Sequence, residues 1–244
     1  MTTIDGRRRL EWAALLNARD LGGLPTATGE TRFGGVVRTE GHRRLTDAGR
    51  SALVAYGVGT IIDLRSATEA RESPSPLRDH AGYRNRPLID EAALEQVARY
   101  DRVADSYLWQ LESQAARTAA IMLAIAEAPA GGVVVHCHAG KDRTGLVAAL
   151  LLTLAGVDRQ VVAADYAISG EALVPMLEEA LAAEPDAPRR ARLLGAYAAP
   201  PEALVQVLAD LDGRYGGGVD GYLEHAGVDA RARDALRRRL LAAP

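Results

Sequence analysis

The stretch GGVVVHCHAGKDRTGLVAALLLTLAGV (131 to 157) limits the fold more than any other part of the chain. Its opening, GGVVVHC (131 to 137), is a continuous apolar run of strand length. Its close, TGLVAALLLTLAGV (144 to 157), is an almost wholly apolar helix. Elements without a polar face must be covered on every side, so both belong in the core. A strand, a short loop and a buried helix in direct succession predict an α/β fold, with a mostly parallel sheet flanked by helices and sites beyond the carboxyl ends of the strands. The loop HCHAGKDRTG (136 to 145) lies at such an end.

Other segments fit that scheme. Residues 34 to 40 predict a short strand, and 46 to 56 a helix that Thr46 caps and Gly57 ends. TIIDLRS (60 to 66) has the β-branched, apolar character of a strand buried on both faces, with Asp63 and Arg65 at or near its C-terminal end. Residues 72 to 84, rich in proline and glycine, read as loop, and YRNRPL (83 to 88) as a further strand. A helical pattern runs from Glu91 to Ala128 with a break between Asp101 and Asp105. Beyond residue 158 only helical patterns remain, interrupted at Gly170, 184 to 188, 198 to 201 and 216 to 218. This C-terminal helical part includes residues 171 to 200, which read either as ordinary packing helices or as a lid over the site.

The length of 244 residues is enough for one large domain, and 1 to 244 is read as a single domain. Hydrophobic residues make up 48% and charged residues 25%, and no apolar run is long enough to cross a bilayer, so a soluble protein without stable membrane insertion is expected. The N-terminus lacks the unbroken apolar stretch of a secretory signal, which makes cytoplasmic the simplest location. A net charge of −3 gives no general attraction to nucleic acid. Oligomeric state is not legible.

One cysteine rules out an internal disulfide framework and leaves Cys137 as either a buried small hydrophobe or a reactive thiol. Of 29 basic residues a single one is lysine, Lys141, and it stands four positions after that cysteine. From Cys137 to Arg143 the spacing is a thiol, five residues and a guanidinium. A loop of this kind at a helix N-terminus turns backbone N–H groups and the positive end of the helix dipole toward one point, which suits an oxyanion. Arg143 can close on that anion bidentately, while His138, Ala139, Gly140, Lys141 and Asp142 line it. The same groups favour a thiolate at Cys137, able to attack the phosphorus of a bound monoester in line. Thr144 is placed to donate to the sulfur, and His136 to orient the loop.

The loop resembles the signature of the protein tyrosine phosphatase superfamily, HC-x5-R-[ST]. NARDLGGLPTATG (17 to 29), VVRTEGHRRLTDAG (36 to 49), IIDLRSATE (61 to 69), ADYAIS (164 to 169) and GYLEHAGV (221 to 228) are similar to the bacterial family of atypical tyrosine and lipid phosphatases. The similarity covers nearly the whole chain. It implies a cysteine-dependent phosphatase fold, a catalytic pair Cys137 and Arg143, and often a helical lid. It implies no metal and no cofactor. Lys141 and Asp142 together resemble loops of phosphoinositide phosphatases, so the implied substrates are phosphorylated proteins, on tyrosine or on serine and threonine, and phosphoinositides.

The leaving oxygen needs a proton. Asp142 is the preferred donor, because a carboxyl forced beside a phosphate dianion is pressed toward its protonated form. Alternatively Asp142 pairs with Lys141 or Arg143 and only shapes the loop. Asp63 is a weaker candidate, for acid or for orienting Arg143, and Asp105 has the sequence distance of a donor on a separate loop but sits in a helical pattern. Arg38, His42 and Arg65 are candidates for the pocket mouth, and Asn17, Arg19 and Asp20 read as a structural turn.

Other chemistries fit less well. A nucleotide-binding P-loop needs glycine at 135 and Ser or Thr at 142, where the chain has Val135 and Asp142. Three adjacent residues His136, Cys137 and His138 cannot converge on one zinc ion. Sulfurtransferases do not show this loop context, and an arsenate reductase relay wants a second cysteine. A non-catalytic phosphate-binding pseudophosphatase is the remaining alternative of a different kind.

Overall fold

The structure, a computed structural model, describes residues 6–97 and 99–241. The first five residues of the stretch read for a leader, Ala98 in the expected 91 to 128 helical region and the last three residues of the 1 to 244 span lie outside the described residues. Among the described residues the strands are β1 (Arg19–Asp20), β2 (Pro25–Thr26), β3 (Gly29–Glu30), β4 (Val36–Thr39), β5 (Val58–Asp63), β6 (Tyr83–Asn85) and β7 (Gly132–His136). The helices are α1 (Asp47–Ala55), α2 (Ala67–Glu72), α3 (Glu91–Val97), α4 (Val103–Ser113), α5 (Ala115–Ala126), α6 (Asp142–Leu154), α7 (Arg159–Ala172), α8 (Val174–Ala183), α9 (Ala187–Tyr197), α10 (Pro201–Arg214), α11 (Val219–Ala226) and α12 (Ala230–Leu240).

Strands β2 and β3 make a separate antiparallel ribbon, and the other five form one sheet in the order β1-β4-β7-β5-β6. Only β1 runs antiparallel, against β4, and the remaining pairs are parallel as expected for an α/β fold. The centre of the sheet is β7, whose residues are all buried. Successive side chains of a strand face opposite ways. Val133 and Val135 accordingly join the large core with Ile62 and the leucines of α6, while Val134 joins Val37, Ile61 and Leu53 on the other face. Helix α6 is buried almost throughout, and Leu146, Leu150 and Leu151 are each 1% exposed or less. Each such leucine contributes about 1.5 to 3 kcal/mol relative to leaving it in water.

Thr46 caps α1 by accepting from the Gly49 N–H, as its position in the sequence predicts. The strand expected at 60 to 66 starts earlier and ends at Asp63, so Arg65 lies beyond the sheet. The helical region 91 to 128 is three helices, with a second break at Gln114 that no glycine or proline announces. The expected break at Gly170 is absent, because α7 runs through it to Ala172. A side chain there would meet Ala199 at 3.3 Å, so this glycine serves close packing and not a turn. Helices α8 and α9 contain no buried residue. No helix among the described residues is long and apolar enough to cross a membrane.

Candidate active site

Three parallel strands end together, with Thr39 of β4 and Asp63 of β5 both in register with His136 of β7. Cys137 follows at this carboxyl edge, 2% exposed, and α6 begins only five residues later, at Asp142. The chain closes that gap by a turn at Gly140, whose φ is +67°. A side chain at this position would lie 2.4 Å from the Thr39 carbonyl oxygen, so only glycine fits. The Gly145 N–H donates to the Lys141 carbonyl at 2.7 Å and closes the first turn of α6, leaving the N–H groups at its start available to an anion.

The loop carbonyls are drawn outward. His138 O accepts from the Gly41 N–H at 2.8 Å, Ala139 O from Asn17 Nδ2 at 3.1 Å, and Gly140 O from Arg38 Nη2 at 2.9 Å and Asn17 Nδ2 at 3.3 Å. Carbonyls held away from the centre of a curled loop leave its N–H groups directed inward, the form of an anion-binding nest.

Those outer donors are held in turn by a buried ion cluster. Asp165 of α7 takes Arg8 at 2.5 Å, Arg19 at 3.0 Å and Arg38 at 2.7 Å, and all four side chains are 4% exposed or less. Arg19 also donates from Nη1 to the side-chain oxygen of Asn17 at 2.5 Å, and both Arg19 and Arg38 donate to Ser169 Oγ at 3.1 Å. Burial alone would raise the Asp165 carboxyl, but the three guanidinium groups outweigh it and hold it far below the usual carboxylate range. Burial and the neighbouring Arg38 charge bring Arg19 down to about 10. The segments 17 to 20 and 164 to 169, far apart in sequence, meet here beneath the loop. Arg19 and Asn17 are therefore more than turn residues, and Arg38 lies under the loop and not at a pocket mouth.

Arg143 is oriented by Glu69 of α2, not by Asp63. Its Nη1 donates to Glu69 Oε2 at 2.6 Å and its Nη2 to Oε1 at 2.8 Å. Burial works against both charges, yet the pairing holds the Glu69 carboxyl below and the Arg143 guanidinium above their ordinary values. Glu69 is itself fixed by a capping box with Ser66 at the start of α2. Beside it, Lys141 Nζ donates to Asp142 Oδ1 at 2.6 Å and to the Ala198 carbonyl at 2.9 Å. The Tyr107 hydroxyl of α4 donates to the same Asp142 oxygen, and Tyr107 and Tyr166 oxygens lie 2.8 Å apart. The Thr144 hydroxyl is buried and has no hydrogen-bond partner among the described residues.

Asp63 accepts from Arg65 at 2.7 Å and from the Tyr83 hydroxyl at 2.7 Å, and faces His136 Nε2 at 3.7 Å. Burial pushes its carboxyl up, but His136, Arg65 and Tyr83 outweigh that and hold it low. His136 Nδ1 lies 3.2 Å from the Cys137 carbonyl, and its ring packs 4.1 Å from that of His42. Burial keeps His42 and His136 below the ordinary histidine range, helped at His42 by the charge of His136. His138 is lowered by burial and by Arg143. His42 is fully buried and does not reach a mouth, whereas Arg65, 3% exposed, borders a small cleft of about 40 Å³ with His138, Arg43 and Met176.

A larger cavity of about 480 Å³ opens over Lys141, Asp142 and Arg143. Apolar and aromatic side chains, Ile89, Leu94, Tyr100, Val103 and Tyr107, share its lining with Gln110 and with Arg192 of α9. Asp105 does not line it, and instead pairs with Arg102 at 3.6 Å on α4, about half exposed. Among the described residues no group of three or more His, Cys, Asp or Glu side chains is arranged to hold a metal. Glu69, Tyr107 and Asp165 escaped the sequence reading as functional residues. Glu69 lies in IIDLRSATE and Asp165 in ADYAIS, segments whose family resemblance names no partner, and Tyr107 lies on a helix whose contacts no local pattern reveals.

A sheet ending in a thiol, a curled anion nest and a bidentate arginine defines the class of phosphoester-cleaving enzymes with a cysteine loop. Residues 10–242 match the model of the tyrosine phosphatase family. The chain is 35% identical to a tyrosine-protein phosphatase of Nostoc commune, over 84% of this chain and 73% of that protein. It is 30% identical to the triple specificity protein phosphatase PtpB of Mycobacterium tuberculosis, over 92% of this chain and 96% of that protein. The chain belongs to the tyrosine phosphatase family and is a protein tyrosine phosphatase.

Proposed function

We propose that the chain hydrolyses phosphotyrosine through a phosphocysteine intermediate, and that its substrates extend to phosphoserine, phosphothreonine and phosphoinositides. The observation that carries this reading is the loop from Cys137 to Arg143, with its carbonyls bound outward and its arginine, forked onto Glu69, lining the 480 Å³ cavity. In the first step the Cys137 sulfur forms a bond to phosphorus as the phosphorus–oxygen bond to the leaving group breaks, and Asp142 passes its proton to that oxygen. Charge on the equatorial oxygens is met by Arg143 and the loop N–H groups. In the second step water attacks phosphorus, gives a proton to Asp142, and expels the sulfur as thiolate, which the Thr144 hydroxyl stabilises.

The breadth of substrate is supported by the mixed apolar and cationic lining of the cavity and by the similarity to the triple specificity protein phosphatase PtpB. Residues 171 to 200 serve as a lid within a single phosphatase domain. Their support is that α8 and α9 bury no residue while Arg192, Gly195 and Ala196 border the cavity. Action in the cytoplasm is the matching location for a chain whose one cysteine needs to stay reduced. Phosphate release from phosphotyrosyl, phosphoseryl and phosphothreonyl peptides and from phosphoinositide micelles tests the reading. Turnover of all classes, lost in Cys137→Ala, is expected. Turnover confined to phosphotyrosine would remove the broader part, and binding without turnover would favour a pseudophosphatase.

A further inference from the structure

Buried tyrosines seldom place a hydroxyl against a surface carboxylate without purpose, since an unpaired hydroxyl in the core is costly and a paired one fixes its partner. Tyr107 is 2% exposed and Tyr166 is fully buried, while the Asp142 side chain remains 42% exposed at the cavity floor. The one proton of Tyr107 goes to Asp142, so the 2.8 Å contact between the two phenol oxygens makes Tyr166 the donor to Tyr107. The result is a directed chain from Tyr166 on α7 through Tyr107 on α4 to Asp142 at the start of α6. Each bond in such a chain polarises the next.

We propose that Tyr107, backed by Tyr166, is a positioning residue for proton transfer: it fixes the direction of the Asp142 carboxyl where that side chain lines the cavity. The inference rests on the reading of Asp142 as the proton donor. Other charged groups near Asp142 are Lys141 and Arg143 on its own loop, and Arg192 of α9 lines the same cavity, with Glu202 of α10 and Arg38 of β4 acting on Tyr166. Lys141 and Tyr107 converge on the same Asp142 oxygen, Oδ1, which leaves Oδ2 as the oxygen to carry the proton to the leaving group.

The test measures kcat/KM for a series of aryl phosphates, from p-nitrophenyl to unsubstituted phenyl phosphate, with Tyr107→Phe, Tyr166→Phe and Asp142→Asn. In Tyr107→Phe the loss of turnover grows as the leaving group worsens, reaching roughly tenfold on phenyl phosphate, a part of what a general acid supplies. Tyr166→Phe gives a smaller effect in the same direction, and Tyr107→Phe adds nothing once Asp142 is asparagine. Equal losses on every leaving group would make Tyr107 a packing residue and overturn the proposal. Should Asp142→Asn itself show no dependence on leaving group, the acid assignment fails and the inference with it. Dependence on Asp142 but not on Tyr107 would sink the inference alone.

Discussion

Arg143 and Glu69 meet side by side, guanidinium against carboxylate, at 2.6 and 2.8 Å. The pairing uses both terminal nitrogens of Arg143, and Glu69 is in turn locked to Ser66 by its capping box. The start of α2 thereby sets the direction of the Arg143 guanidinium. A glutamine can keep the cap but cannot accept both hydrogen bonds. Glu69→Gln is expected to raise KM and the inhibition constant for inorganic phosphate about tenfold, the scale of losing one charge-assisted bond. Its melting temperature should stay close to that of the parent. Glu69→Ala keeps the Ser66 cap but loses the reciprocal bond from the Ser66 N–H, and should cost about 0.5 to 1.5 kcal/mol, read by denaturant unfolding.

The three arginines about Asp165 form one buried ion cluster that also holds the loop. Asp165→Asn leaves three buried guanidinium groups without a counter-charge, and breaking such an arrangement costs roughly 3 to 5 kcal/mol. Because Arg19 holds Asn17, and Arg38 and Asn17 hold the loop carbonyls, the surviving folded fraction should bind phosphate more weakly. Urea unfolding with a parallel phosphate titration checks both parts.

Two groups of side chains give acid sensitivity in separate windows. His42 and His136 are lowered in the folded state, so the unfolded chain binds more protons below its ordinary histidine value of about 6.5 and stability falls as pH drops through that region. Asp165 is also lowered, so its contribution is present above the unfolded carboxylate value of about 3.9 and is lost as pH falls below it. Urea midpoints should decline from pH 7 to 5 and again below pH 4. Asp165→Asn should flatten only the second decline.

Gly140 admits no side chain, both for its positive φ and for the Thr39 carbonyl 2.4 Å from where a Cβ would stand. Gly140→Ala is expected to reduce kcat/KM at least 100-fold by unseating the loop, with a stability loss of about 1 to 3 kcal/mol. Steady-state kinetics and a thermal melt on the same sample measure the two effects.

Much of this site was legible in the order of residues. The apolar run into Cys137 and the apolar helix after Thr144 could only be core elements, and the loop between them could only sit at the edge of the sheet. Local caps such as Thr46 were equally plain, because their partners lie within four residues. What escaped was pairing across distance. Glu69 reaches Arg143 over 74 positions, Asp165 reaches Arg38 over 127, and Tyr107 reaches Asp142 over 35. Arg38 and His42 were misplaced to a mouth for a related reason, since charged side chains are normally exposed and their burial depends on partners that no local pattern discloses. The break at Gln114 lacked any breaker residue, and Gly170, which had the look of one, is a packing contact.

The central claim is that phosphorus bonds to the sulfur of Cys137 on the way to hydrolysis. Rapid acid quench during turnover of a phosphotyrosyl peptide, followed by peptide mass spectrometry, tests it directly. A phosphoryl adduct on Cys137, formed in the first turnover and absent with Cys137→Ala, is the expected result. Undiminished turnover by Cys137→Ala, or a phosphoryl group found on another residue, would contradict it.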